Sequence, residues 1–427
     1  MQIAVIEDVG GFRALGREWD TLLATSRQDC PFLRHGWLYA WWNSYGGTAR
    51  PAIVTCREED SGRLLGVLPA YRVGTGTVMQ AARLRLLGDA RVGSSGLGAF
   101  VCPDAEDEVF DALSAHLHGP DGDWDVLDFR VVDTEAPFFR TLLGPGRSAG
   151  VRRGRHGRPQ IALPHDWDMY LTERLGPRAR SSVRHSRRLA EKAGGGIELV
   201  QRPEELPAAL DDMLALFQQR MKHVLGRRFI VTDSFKRFTA EVAEGLLAAG
   251  RLRLGFLNIE GRRVAFEYQF RYLDTMYAVL GGFEEQWARL EVSRALFSDM
   301  VERAIAEGCS TLDFGLGEQP YKFGWGVTDV RRFGDITAYS DSPAARLSRV
   351  GDAFGAGLAR AVESSPQRIS KPLLGWVTSA HCALSAAGIV SDIDCSDHHG
   401  AEPTTDPSAG VVVVPAPEDD APIRKES

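Results

Sequence analysis

This sequence predicts a mixed α/β fold, an α+β arrangement of mostly antiparallel sheet flanked by helices, built as two similar units in tandem. Three observations carry that prediction. Strand-like runs of period 2 alternate with helix-like runs of period 3.6 along most of the chain. The pattern aliphatic, Asp, Phe occurs at Val126-Leu127-Asp128-Phe129 and returns at Thr311-Leu312-Asp313-Phe314. Upstream of each, a glycine turn joins two strand-like runs, Ser61-Gly62-Arg63-Leu64-Leu65-Gly66 in one copy and Glu260-Gly261-Arg262-Arg263-Val264-Ala265 in the other. The copies are offset by about 199 residues at the turns and about 185 at the Leu-Asp-Phe strands, a difference that one loop can absorb.

Gln2 to Ile6 reads as a strand, Phe12 to Ala24 as an amphipathic helix, and Trp37 to Tyr45 as a helix whose Trp37, Trp41, Trp42 and Tyr45 share the side that meets the core. Pro51 to Cys56 and Leu64 to Val73 form a hairpin or meander. Arg83 to Leu87 is a further strand, Ala105 to Leu117 a helix, and Val126 to Phe129 the closing strand. Gly93-Ser94-Ser95-Gly96-Leu97-Gly98 looks like a phosphate loop but precedes a strand rather than a helix, so it reads as a mobile loop. Gly144 to Pro159, rich in Gly and Arg, reads as a linker. Asp168 to Leu175 and Arg178 to Ala193 then read as helices, the second stopped by Gly194-Gly195-Gly196. A strand at Ile197 to Val200 precedes helices over about Glu204 to Val224 and Asp233 to Ala249. Strands Arg251 to Ile259, Val264 to Tyr272 and Thr275 to Gly281 follow, and a helix from Val292 to Glu307 leads into the Leu312 strand. The expected organisation is a first domain over 1–150, a second, chemistry-bearing domain over 151–341, a helical extension over 342–390 and a disordered acidic tail over 391–427.

A chain of 427 residues is too long for one ordinary core, and 44% hydrophobic with 25% charged residues excludes a largely disordered protein. The six cysteines are scattered without a C-x-x-C pair, which points to reduced thiols and no zinc site. No leader-like or membrane-spanning stretch stands out, so a cytoplasmic location is expected. The net charge of -7 conceals segregation. Residues 151–192 hold eleven Lys/Arg against four acids, a net +7, whereas residues 387–427 hold nine acids against Arg424 and Lys425, a net -7. The basic stretch can attract anions or simply solvate a helix face.

Strand, two helices, three antiparallel strands, helix, strand is the element order of the GNAT acyltransferase fold. The stretch from about Phe32 to about Tyr339 resembles the FemAB-like, CelD-type (cellulose-biosynthesis-type) branch of that superfamily, which pairs two such domains. The resemblance rests on Gly36-Trp37-Leu38-Tyr39-Ala40-Trp41-Trp42, Leu65-Gly66-Val67-Leu68-Pro69, the Arg-rich Ser182-Val183-Arg184-His185-Ser186-Arg187-Arg188-Leu189, and Leu312-Asp313-Phe314-Gly315 through Tyr321-Lys322 to Trp325. It implies transfer of an acyl or aminoacyl group to an amine without a metal. The chain departs from the superfamily at the pyrophosphate loop. Users of acetyl-CoA carry Q/R-x-x-G-x-G/A there, whereas Gln286-Trp287-Ala288-Arg289-Leu290-Glu291 has no glycine and ends on an acid. Arg289 and Arg294 are the residues left to neutralise a CoA phosphate.

Acyl transfer needs a base for the amine, a donor for the oxyanion and a proton for the leaving group. Glu267 interrupts the apolar run Val264 to Phe270, so it either faces a cavity, which would shift its pKa, or lies on an exposed sheet face beside Gln269. Tyr321 is the candidate proton donor, and Lys322 the candidate oxyanion or anion partner; neither has a counterpart in the first copy. Glu318, Arg220, His223 and Asp313 are candidate substrate-binding residues. Asp313, however, repeats Asp128 and so also fits a structural role, bonding a neighbouring backbone or helix end. The expected function is an N-acyltransferase moving an acyl group, from acyl-CoA (acetyl-CoA) as co-substrate, to the amine of a small molecule or sugar held between the copies. Two alternatives stay open: an aminoacyl-tRNA-dependent transferase of FemX-like type, and a non-catalytic accessory protein in polysaccharide or envelope biosynthesis.

Overall fold

Strand pairing follows the echo seen in the sequence. The computed structural model describes residues 1–77, 80–89, 92–144, 149–225 and 230–363; most of the expected 342–390 extension and all of the 391–427 tail lie outside them. Its contacts divide into two units, one comprising Met1–His156, Thr232–Gly245 and the described residues from Arg332 onward, the other Gly157–Val231 and Leu246–Arg331.

In the first unit, strands Gln2–Ile6, Ile53–Arg57, Leu64–Leu68 and Phe100–Val101 form an antiparallel sheet in that order. Ala70–Val73 pairs antiparallel with Arg83–Leu86, and Arg83–Leu86 runs parallel to Val126–Val132. The helix His35–Tyr45 buries Trp37, Trp41 and Trp42, as its spacing predicts. Against it packs the helix Asp233–Ala248: Phe238 lies 5.2 Å from Trp37 and 6.1 Å from Tyr45, and Asn43 donates to Glu241 at 2.8 Å. Most of that helix therefore belongs with the first unit although its sequence neighbours belong with the second. The glycine-rich segment 93–98 is not a free surface loop. Ser94, Ser95 and Leu97 are buried, Trp37 donates its indole N–H to Ser94 Oγ at 3.0 Å, and the Gly96 amide donates to the Val131 carbonyl at 2.9 Å.

In the second unit, strands Gly196–Leu199, Leu252–Ile259, Arg262–Tyr272 and Thr275–Phe283 form an antiparallel run. Glu260 and Gly261 make the two-residue turn between the second and third, with φ of 53° and 75°. Two successive positive φ values suit the twist of a tight hairpin, and glycine at the second position avoids the Cβ penalty. Thr275–Phe283 then runs parallel to Thr311–Asp313, so in each unit the Leu-Asp-Phe strand supplies a parallel pair. The segment expected as a linker is instead the strand Ala149–Ala162, whose end pairs antiparallel with Thr311–Asp313. Its alternation of Arg and Gly hid it from a hydrophobic-period reading. The helix Val292–Ala306 covers this sheet through Val292, Ala295, Leu296 and Met300, packed on Leu257, Val264 and Ala265. The Arg-rich helix spans Pro177–Lys192; the stretch before it, expected as one helix, is a short turn at Trp167–Met169 continued by a π-helical turn at Tyr170–Arg174.

Candidate active site

All the candidate residues fall in the second unit. The parallel pairing stops at Tyr277 with Asp313, yet Thr275–Phe283 continues for six more residues, from Ala278 to Phe283. No strand among the described residues pairs with that edge, and backbone amides along it are open to a bound group.

Glu267 lies one strand in from this edge, on Arg262–Tyr272. It sits opposite Gly281 in the neighbouring strand, and a methyl group on Gly281 would stand 2.8 Å from Glu267 Oε1. Glycine is therefore what gives the carboxyl room. Glu267 is 6% exposed, and burial lifts its carboxyl up to about 8, opposed by the amide of Gln269. Gln269 is itself wholly buried beside it. The exposed-face alternative for Glu267 is thereby excluded.

Tyr321 projects from a short helical turn, Pro320–Phe323, and is 54% exposed as a whole residue. Its phenol is nevertheless pushed up to about 12, first by desolvation around the hydroxyl, then by the Glu267 charge, with Arg220 opposing. The exposed ring and desolvated hydroxyl are compatible if the ring edge faces solvent and the oxygen points inward. Its electrostatic coupling to Glu267 and Arg220 draws the three into one neighbourhood.

Lys322 is placed differently from its expected role. It is 4% exposed, and its ammonium donates to the carbonyls of Leu316 at 2.8 Å, Gly317 at 2.9 Å and Gly315 at 3.5 Å. Burial lowers its pKa to about 7, with Asp313 opposing and Arg158 reinforcing the shift. All three donors are directed at the turn, so the geometry makes Lys322 a brace for Gly315–Gly317 and gives it no proton to aim at an oxyanion. Asp313 is likewise engaged. Arg158 Nε approaches both its oxygens at 2.6 and 2.7 Å, Gln160 donates at 2.7 Å and the Gly315 amide at 2.8 Å. A substrate would have to displace these bonds, which corrects the substrate-binding expectation. Asp128 repeats the arrangement: burial alone would raise its carboxyl, but Arg130 and Arg85 hold it far below the usual range. The partners of both aspartates are mainly guanidinium groups; the neighbouring backbone expected is met at Asp313 by the Gly315 amide, while no helix end is among the partners.

The remaining candidates spread around this centre. The guanidinium of Arg220 lies over the Phe283 ring at 4.7 Å and 3.5 Å from Glu285, and His223 reaches the same carboxylate at 3.8 Å. Glu285 is thus already in contact with both side chains. The carboxyl of Glu318 lies against Gly157. Before the helix Val292–Ala306, the expected pyrophosphate loop is a 3-10 turn, Glu285–Leu290, and Glu291 takes a left-handed φ of 50° where the superfamily pattern has glycine or alanine. The helix start has no side-chain cap, which leaves its first amides for an anion. Arg289 is exposed beside it, whereas Arg294 lies 3.6 Å from Glu291. A diphosphate thus finds amides and one unengaged cation, but also meets a carboxylate. Among the described residues no group of three or more His, Cys, Asp or Glu is arranged to hold a metal, and no helix is long and apolar enough to cross a membrane.

Residues 177–323 match the family model described as Acetyltransferase (GNAT) domain, a span that includes the Arg-rich helix, Glu267 and Tyr321. The crystal structure of FemX superposes with a TM-score of 0.52 at 13% identity, covering 81% of this chain and 99% of that one. A conserved protein of unknown function from Bacteroides thetaiotaomicron VPI-5482 superposes with a TM-score of 0.50 at 12% identity, covering 79% and 100%. These likenesses are of fold alone. No curated protein matches the sequence.

Proposed function

We propose that the second unit is an acyltransferase site at which an amine attacks the carbonyl of an acyl thioester. The observation that carries this reading is the buried Glu267 carboxyl, held at about 8 against Gly281 at the edge of an incompletely paired strand. A carboxylate of that basicity suits proton removal from an attacking ammonium or amine near neutral pH. In the step proposed, the nitrogen forms a bond to the carbonyl carbon and loses a proton to Glu267. Open amides of the Ala278–Phe283 edge stabilise the oxyanion, the carbon–sulfur bond breaks, and the sulfur takes a proton from Tyr321. A phenol raised to about 12 keeps its proton until that moment. Lys322 and Asp313 hold the turn that carries Tyr321, while Arg220 and His223 stand where an anionic acceptor or donor can exchange with Glu285.

The donor proposed is acyl-CoA, its diphosphate at the uncapped start of Val292–Ala306 near Arg289 and Arg294; the acceptor is the amine of a small molecule or sugar. The GNAT-domain match over 177–323 supports a thioester donor. Thermal-shift titration tests the choice, because a ligand that binds the native state alone raises the melting temperature. Acetyl-CoA is expected to raise it, and aminoacylated tRNA to raise it no further than uncharged tRNA does; a shift given by aminoacyl-tRNA beyond that of uncharged tRNA, with none from CoA thioesters, would overturn the thioester reading.

A further inference from the structure

Beside the Arg-rich helix lies an open groove of about 770 Å³ lined by Trp167, Asp168, Arg180, Arg184, Arg187 and Arg188, with Leu171 and Val183 among its apolar wall. Arg180, Arg184 and Arg188 stand one helical turn apart, so their stripe runs about 12 Å along the groove at 1.5 Å per residue. Among the described residues none of the three is ion-paired. Arg180 meets the Leu175 carbonyl at 3.4 Å and Arg188 the Arg184 carbonyl at 3.2 Å, contacts that leave both charges uncompensated, and Arg180 Nε is buried without any partner. Arg187 differs: it pairs with Glu302 at 2.5 Å and lies 4.6 Å over the Trp167 ring, which fixes the wall of the groove.

Such a stripe works against the helix that bears it. Like charges at i, i+4 repel, and cations near a helix start oppose the backbone dipole. Among the described residues no carboxylate pairs with the stripe, which leaves its charge available to a bound anion. We infer that the groove is a binding site for the phosphodiester backbone of a single-stranded nucleic acid, held by Arg180, Arg184 and Arg188.

Three features select that ligand. A regular row of fork-shaped guanidinium groups suits successive phosphates better than one isolated anion. The Trp167 ring is already engaged, by the Arg187 guanidinium at 4.6 Å and by Tyr170, whose ring stacks at 5.2 Å. No stacking platform remains, so binding goes through phosphates and is indifferent to base sequence. One stripe on one helix serves one strand, and a flat lipid surface would meet the rim without reaching the buried edge of Arg180. This site stands on the groove alone and does not depend on the acyl-transfer reading.

The test is fluorescence anisotropy of a labelled oligouridylate against the full chain over a range of salt. Wild type is expected to bind with log Kobs falling steeply in log salt. Arg180→Gln/Arg184→Gln/Arg188→Gln is expected to bind more weakly with a slope shallower by about 2, at roughly 0.7 for each phosphate that the variant no longer neutralises. A control, Arg13→Gln/Arg17→Gln, changes two exposed arginines elsewhere and should match wild type. The pair Arg184→Gln/Arg188→Gln, both at exposed positions, provides a second reading should the triple variant fold poorly. The proposal is overturned if wild type fails to bind at low salt, if the groove variants bind as wild type does, if a duplex of equal length binds more tightly, or if anionic phosphatidylglycerol vesicles are bound and the oligonucleotide is not.

Discussion

Replacing Glu267 with Gln should stabilise the protein, and the gain should depend on pH in a way that surface substitutions cannot imitate. The carboxyl is held at about 8 in the folded chain against 4.5 when unconstrained, and desolvation is the cause. Below pH 4.5 both folded and unfolded chains carry the proton, so the carboxyl imposes no ionisation penalty. Between 4.5 and 8 the unfolded chain releases the proton while the folded chain keeps it, so wild-type stability falls as pH rises. Above 8 both are ionised and the penalty is constant. At 1.36 kcal/mol per pKa unit the penalty is about 3 kcal/mol at pH 7 and approaches about 5 kcal/mol at pH 9. Gln has nearly the same shape and no proton to lose. Urea unfolding of wild type and Glu267→Gln at pH 5, 7 and 9, followed by tryptophan fluorescence, should therefore give a difference that is small at pH 5 and widens steadily. A difference independent of pH, or one that narrows as pH rises, would refute the claim that this carboxyl is buried without a compensating charge.

Three further outcomes follow from neighbouring contacts. Lys322→Met leaves the carbonyls of Gly315, Leu316 and Gly317 without their donor and should cost about 2 kcal/mol. Because the folded pKa of Lys322 is lowered to about 7, wild type gains stability from pH 7 to 10.5, so the deficit of the variant should grow across that window in parallel unfolding curves. Asp313→Asn breaks a buried ion pair and strands the Arg158 charge, so a loss of about 3–5 kcal/mol in the same assay is expected. Gly281→Ala puts a methyl group against Glu267 Oε1 and should lower amine-dependent thiol release about tenfold or more with little change in melting temperature; a fully active variant would show that the carboxyl does not sit over Gly281.

Much of the architecture was legible because period-2 and period-3.6 patterns are local. The Leu-Asp-Phe echo marked two strands that each make a parallel pair, and the Glu260-Gly261 turn was readable from glycine alone. The strand Ala149–Ala162 was not, since its residues follow no apolar alternation and its partner strand Thr311–Asp313 lies some 150 residues on. The same distance concealed Arg158 and Gln160 as the groups that saturate Asp313; in the sequence Arg158 was one basic charge among eleven. Glu267 stood out as an acid inside an apolar run, but alternation cannot say whether the face it occupies is covered, and the helix Val292–Ala306 that covers the sheet comes later in the chain. Tyr321-Lys322 looked like one functional pair, yet a helical turn sends adjacent side chains in different directions, leaving Tyr321 half exposed and Lys322 turned inward. The +7 stretch was plain from composition, whereas the groove beside it needs Trp167 and Leu171, which reach it from the preceding turn.

Thiol release from acetyl-CoA in the presence of a pool of small-molecule and amino-sugar amines, compared for wild type, Glu267→Gln and Tyr321→Phe between pH 6 and 9, decides whether Glu267 is the base of an acyl transfer. Amine-dependent release by wild type is expected to rise through about pH 8 as Glu267 loses its proton, to be almost abolished in Glu267→Gln, and to be slower in Tyr321→Phe, with all three proteins folded. Release by Glu267→Gln at the wild-type rate and with the wild-type pH profile would contradict that role.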